Sequence, residues 1–355
     1  MMPDDAAMRD MLARWLEGRL DGVTAVEITS VERPASGYSA ETLILPTKVR
    51  RSDAESDERF VLRRETPDSA VYPVQAPALD VEVWIQYAVM DALHRHSTVP
   101  LAPLVGYEPD PSVLGAPFFV MGYVAGQVPI ENPAYTQEGF FADASPDERT
   151  RMIDDGLRVL AGVHTVDWRA AGLDWLVAPG TTPDAATQIA IWEAYAEREL
   201  AGRVHPPLAK ALEWLHAHAA PEHTPGLCWG DPRPGNIIWR DFRAACATDF
   251  EAASIAPPEI DLGWWLMFDR CSHEVVGVDR LDGEPSRDEQ RARYAAHAQR
   301  ELGDTYHWEL FAAARYCAIV VRVMNRLVDR GDLPADQTIW IENPAVDCLV
   351  QLLEG

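Results

Sequence analysis

The chain has 355 residues, 47% of them apolar and 25% charged, with 56 acidic against 31 basic side chains for a formal charge of −25. Such a composition excludes a chain that is mainly disordered, and no uncharged apolar run approaches the ~20 residues of a bilayer span. The acidity argues against a nucleic-acid partner, which needs a basic footprint.

Met8, Met11, Leu12, Trp15 and Leu16 recur at helical spacing and predict an amphipathic helix over 5–20. Strand-like segments follow at 26–33 and 41–45, around the turn Pro34-Ala35-Ser36-Gly37-Tyr38-Ser39. The acidic stretch 53–58 is expected as a solvated hairpin tip before a strand at 60–64. Pro67, Pro73 and Pro77 hold off any helix until residue 80, and Val83, Tyr87, Met90 and Leu93 then mark one over 80–94. Two more strands are expected at 105–107 and 117–124.

After Gly126 the pattern turns helical. Ser145-Pro146-Asp147-Glu148 is a capping box with proline at the first helical position, opening a helix to about residue 165. Further helices are expected at 187–203, 207–219, 286–302, 308–330 and 345–353. Between them, 227–249 holds short apolar pieces broken by Gly and Pro, which suggests a loop and a β-ribbon. The result is an α+β chain, a small sheet lobe with one main helix followed by a larger, mostly helical lobe.

The five cysteines form no CxxC pair and are odd in number, so neither a disulfide framework nor a thiolate zinc site is expected. The start Met1-Met2-Pro3-Asp4-Asp5 lacks the pattern of a secretory signal, and a cytoplasmic compartment is the simplest expectation.

The strongest chemical signal is the loop Trp229-Gly230-Asp231-Pro232-Arg233-Pro234-Gly235-Asn236, followed by Asp249-Phe250-Glu251 thirteen positions after Asn236. Phosphoryl transfer from ATP requires an Asp to receive a hydroxyl proton, and an Asn and an Asp to hold Mg²⁺. Positioning and charge neutralisation supply most of that catalysis. Alone, an Asp and an Asn separated by four residues is also a common chance pairing.

In these residues the sequence resembles the aminoglycoside phosphotransferase family, which has the bilobal protein-kinase-like fold. The resemblance covers nearly the whole chain and is closest to the branch also found fused to acyl-CoA dehydrogenases. It implies Asp231 as catalytic base, Asn236 and Asp249 as Mg²⁺ ligands, and Arg233 facing the γ-phosphate. Asp261 matches the Asp that braces the catalytic loop. Phe60-Val61-Leu62-Arg63 has the layout of the strand reaching the ATP phosphates, so Arg63 takes the place of the family's lysine, with Glu82 as its ion-pair partner. The turn with Ser36, Gly37 and Ser39 would cover the phosphates through backbone N–H groups. Phe119-Val120-Met121-Gly122-Tyr123-Val124 resembles the lobe-connecting hinge. Met121 would back the adenine, and the backbone of Gly122 and Val124 would bond its edge. The implied division is a nucleotide lobe at 1–121, a hinge at 122–126 and a helical lobe at 127–355. Trp229 departs from the family, which has His there and uses it to brace the loop.

Plainer readings stand beside these. Arg63 and Glu82 also fit a surface ion pair, Arg233 a solvated loop residue, and Glu251 either a second-metal contact or a solvated side chain. His164 reads as a packed core histidine, Trp264 and Trp265 as core, and Trp192, Tyr195 and Trp214 as core in a helical insert that the resemblance places near the acceptor. Neither lysine (Lys48, Lys210) follows a glycine, so there is no Walker A loop. Gly37-Tyr38-Ser39-Ala40-Glu41 lacks the closing glycine of a nucleophile elbow, and His273-Glu274-Val275-Val276-Gly277 lacks the second histidine of an HExxH site. The expected activity is an ATP- and Mg²⁺-dependent kinase acting on a hydroxyl of a small molecule, an aminoglycoside or alternatively a hydroxyacyl-CoA or other metabolite. A non-catalytic pseudokinase is the alternative from another class. No nucleic-acid or membrane partner is expected.

Overall fold

Helix α1 (Asp5–Glu17) turns Met8, Leu12, Trp15 and Leu16 inward and leaves its acidic and basic residues outside. This computed structural model describes residues 5–34, 40–52, 54–67, 70–75 and 81–355. Five strands follow: β1 (Val23–Ile28), β2 (Glu41–Arg51), β3 (Ala54–Arg64), β4 (Leu104–Glu108) and β5 (Phe118–Gly122). They form one antiparallel sheet in the order β1-β2-β3-β5-β4. Alternation along β2 and β3 sends Leu43, Leu45, Phe60 and Leu62 into a core with α1. Helix α2 (Glu82–His96) packs Val89, Met90 and Leu93 into a core that contains Phe119 of β5. The one-turn helix α3 (Pro111–Leu114) precedes β5.

Residues 54–58 of the acidic stretch are not a hairpin tip. From Ala54 onward the stretch is strand β3, because the facing strand is basic. Glu55 pairs opposite Arg50, Asp57 opposite Lys48, and the Arg51 guanidinium reaches Glu58 at 2.6 Å. Opposite charges on facing strands keep the acidic residues in the ladder.

The second part is mostly helical. Helix α4 (Pro146–His164) starts at the expected capping box, in which Ser145 and Glu148 bond reciprocally. Helices α5 (Ala185–Leu200) and α6 (Pro206–Ala217) follow. Strand β6 (Gly226–Cys228) pairs with β9 (Ser254–Ala256). Between them β7 (Ile237–Arg240) and β8 (Arg243–Ala247) form the β-ribbon, turned by Asp241 and Phe242 at φ of +52° and +56°. Helix α7 (Glu259–Cys271) was not foreseen: residues 260–267 are all buried, so no polar stripe marks its period. Helix α8 (Arg287–Ala298) is capped by Ser286 and Glu289, and α9 (Tyr306–Asp329) and α10 (Pro344–Glu354) complete the chain. No helix among the described residues is long and apolar enough to cross a membrane.

Candidate active site

Asp231 lies in the loop between β6 and β7, and that loop is fixed by its backbone. Gly230 sits at φ +97°, and a Cβ there would come within 2.2 Å of the Ala252 carbonyl oxygen, so only glycine fits. The fully buried Asp261, at the start of α7, accepts from the N–H of Trp229 at 2.6 Å and of Gly230 at 3.1 Å. His164 Nε2 stands 3.1 Å from the same carboxylate, with its Nδ1 2.6 Å from the Tyr294 hydroxyl, which is the packed core role expected of it. Arg315 donates to the Gly230 carbonyl at 2.9 Å while lying between the rings of Trp192 and Trp264. Burial works against its charge and lowers its pKa, and the nearby Asp261 partly offsets this.

The indole N–H of Trp229 donates to the carbonyls of Thr248 at 2.7 Å and Asp249 at 3.2 Å, and its ring stacks on Phe250 at 5.2 Å. The departure from the family's histidine therefore still joins the two halves of the motif. Asn236 is buried, and its Nδ2 donates to the Asp231 carbonyl at 2.8 Å. The carbonyl of Asn236 accepts the Thr248 N–H at 2.9 Å. Asp231, Asn236 and Asp249 are thus bound into one network. Asp249 holds φ +57°, a left-handed conformation that Asp tolerates better than most residues.

The Asp231 carboxylate is crowded by donors. Trp264 Nε1 donates to Oδ1 at 2.6 Å, and the Tyr72 hydroxyl donates to Oδ2 at 3.0 Å. Arg233 Nε lies 3.2 and 3.3 Å from the two oxygens. Arg233 is not a solvated residue: it is enclosed, paired with Glu131 and set over the Phe268 ring. Burial works against its charge, but Asp231 and Glu131 hold its pKa above the usual arginine value.

Arg63 pairs differently from expectation. Its Nη2 lies 3.2 Å from Asp249 and 3.5 Å from Glu251, and Nη1 donates to the Thr42 hydroxyl at 2.8 Å. The Glu251 side chain is buried, and it also accepts from Gln86 of α2 at 3.2 Å. Glu82 feels the charge of Arg63, but no ion pair joins the two among the described contacts, and Glu82 instead accepts from the Val71 N–H. Its Oε1 is buried without a hydrogen-bond partner. Burial, with the negative charge of Glu65, pushes its carboxyl up to about 7. Arg63 can reach Asp249 because the two side chains meet across the sheet and the helical part, a proximity that strand spacing does not reveal.

At the expected hinge, Met121 and Gly122 close strand β5. The Gly122 N–H is already donated to the Pro103 carbonyl at 2.8 Å. Among the described residues none hydrogen-bonds the backbone of Val124, which lies just past the strand. Ser36, Gly37 and Ser39 lie outside the described residues. Sequence reading missed three contributors, Tyr72, Trp264 and Arg315. Tyr72 sat in a proline-interrupted stretch without periodicity, and the other two are on helices whose apolar surroundings suggested packing alone.

A profile described as the phosphotransferase enzyme family matches residues 30–311. The protein named probable acyl-CoA dehydrogenase IBR3, of Arabidopsis thaliana, is 25% identical over 236 residues, covering 64% of this chain and 26% of that relative. The chain therefore spans about a quarter of the length of that relative. A crystal structure of a candidate aminoglycoside phosphotransferase from Ralstonia eutropha superposes with a TM-score of 0.73 and 25% identity, covering 97% of both chains. The macrolide 2'-phosphotransferase MphH from Brachybacterium faecium shares the fold at a TM-score of 0.59 and 17% identity, also over 97% of both chains.

Proposed function

The chain belongs to the phosphotransferase enzyme family, and from that premise we propose that it is a kinase for a hydroxyl group of a small molecule, with ATP held with Mg²⁺ as its phosphoryl donor. The observation that carries this is the convergence of Asp231, Asn236 and Asp249 in one hydrogen-bonded network beside Arg63. The donor set fits the metal: Asn236 Oδ1 and the Asp249 carboxylate are hard oxygens, and with Nδ2 donated to the Asp231 carbonyl, Oδ1 is the end of the amide left to face a cation. When bound, Mg²⁺ supplies electrostatic stabilisation of the phosphate oxygens.

The chain's own residues have separate roles in this reading. Asp231 accepts the proton of the acceptor hydroxyl and orients it, while Trp264 and Arg233 keep its carboxylate in place. Arg233 adds positive charge beside the transferring group. Arg63 leaves Asp249 to pair with the donor's phosphates, where its planar fork suits oxyanions. Glu82 and the turn of Ser36, Gly37 and Ser39 complete the phosphate end. Met121 backs the adenine. The Val124 backbone is the better-placed partner for its edge, since the Gly122 N–H is already engaged. This assigns 1–121 to nucleotide, 122–126 to the hinge and 127–355 to catalysis and acceptor.

Near Asp231 the charges of Arg233 and Glu131 offset each other, and Trp264, Phe268 and Tyr316 form an aromatic group around them. An acceptor with an apolar flank beside its hydroxyl fits these neighbours better than one recognised through charge. The test is ADP release with Mg²⁺ and ATP against aminoglycosides, macrolides, hydroxyacyl-CoAs and sugar alcohols. At least one class should raise release above background. Absence of Mg²⁺-dependent ATP binding by calorimetry overturns the reading.

A further inference from the structure

The hydroxyl of Tyr72 makes the contact that an acceptor hydroxyl must make with its base, donating to Asp231 Oδ2 at 3.0 Å. We propose that Tyr72 is a built-in pseudo-acceptor, occupying Asp231 and keeping water from it until a true acceptor turns the phenol aside. This deepens the kinase reading and rests on it.

The placement is built, not incidental. Tyr195 donates to the Val71 carbonyl, Arg322 Nε donates to the Ala70 carbonyl at 3.3 Å, and Gln188 Nε2 donates to Gln75 Oε1 at 2.9 Å. Three side chains from the helical part thus hold residues 70–75 at the base. Burial, with the negative charges of Asp231 and Glu251, keeps the phenol protonated, so it stays a donor toward the carboxylate. A small cavity lined by Tyr72, Ile85, Glu251 and Ala253 among others lies beside the phenol.

A kinase whose base is open to water loses its donor by hydrolysis. The water oxygen bonds to the γ-phosphorus, the bond from that phosphorus to the bridging oxygen of ADP breaks, and the water's proton passes to Asp231 and then to solvent. The Tyr72 hydroxyl occupies the position from which Asp231 would orient that water.

The experiment is ADP release by the full chain with ATP and Mg²⁺ and no acceptor, with nucleotide binding measured in parallel by calorimetry. Tyr72→Ala should raise release about tenfold, and Tyr72→Phe, which keeps the ring and removes only the hydroxyl, about threefold. Adding Asp231→Asn to Tyr72→Ala should return release to the parent level, which a merely loosened fold would not do. Release that stays at the parent level in both single variants, or a rise that survives Asp231→Asn, overturns the proposal while leaving the kinase reading intact. So does phosphate found on Tyr72 itself, which would make it a substrate. Failure of the parent to bind MgATP removes the kinase reading and this inference with it.

Discussion

Arg63 Nη2 lies 3.2 Å from a carboxylate oxygen of Asp249, so a cation from the sheet and an anion from the loop after β8 neutralise each other at the proposed metal–phosphate site. A ligand carrying both charges exchanges one set of partners for the other. Arg63→Ala should therefore weaken MgATP binding about ten- to hundredfold and adenosine binding less than about threefold. Calorimetry with both ligands checks this, and an unchanged ratio would show that Arg63 does not meet phosphate.

Asp249→Ala should abolish the Mg²⁺ dependence of nucleotide affinity. Titration of ATP with and without Mg²⁺ should give the same constant in the variant and different constants in the parent. Among the described residues, the variant leaves Glu251 as a carboxylate partner of Arg63 at 3.5 Å.

Asp231→Asn keeps the size of the side chain and removes the proposed base. It should lower kcat about 10²- to 10⁴-fold and leave MgADP affinity within about threefold. Comparable losses in both would assign Asp231 to binding and not to proton transfer.

Glu82 gives a pH signature. Its folded pKa of about 7 lies above the ordinary 4.5, because burial and Glu65 disfavour the charge. Between these values the folded chain binds more protons than the unfolded chain, so stability falls as pH rises through that window. Glu82→Gln removes the titration. The variant should match the parent near pH 4.5 and be more stable above pH 7 by roughly 1–3 kcal/mol. Urea unfolding at both pH values measures it, and a constant difference would place the titration elsewhere.

Trp229→Phe preserves the stacking on Phe250 and removes the N–H shared by Thr248 and Asp249. Leaving those carbonyls without a partner should cost about 1–3 kcal/mol by urea denaturation and lower kcat more than it raises the KM for ATP. Unaltered stability would mean the tie is dispensable.

Much of this was readable from order along the chain. The capping residues Ser145 and Glu148 mark their helix because the signal is local, a hydroxyl and a Glu three positions later. Asp231, Asn236 and Asp249 stood out because the chemistry constrains residue type and the loop is short. The register of β2 against β3 was not legible, since it depends on Lys48 and Arg50 facing Asp57 and Glu55 across a turn. Helix α7 was hidden by being buried on every side. The partner of Arg63 and the role of Tyr72 depend on groups that sit 186 and 159 positions away in sequence and meet only after folding.

An indole does not take up a proton near neutrality, whereas an imidazole does so near 6.5. With Trp229 at the bend, the clasp between the catalytic loop and the Asp249 segment holds the same bonds from mildly acidic to mildly alkaline conditions. A histidine at this bend would place a titrating group there, and the indole of Trp229 does not.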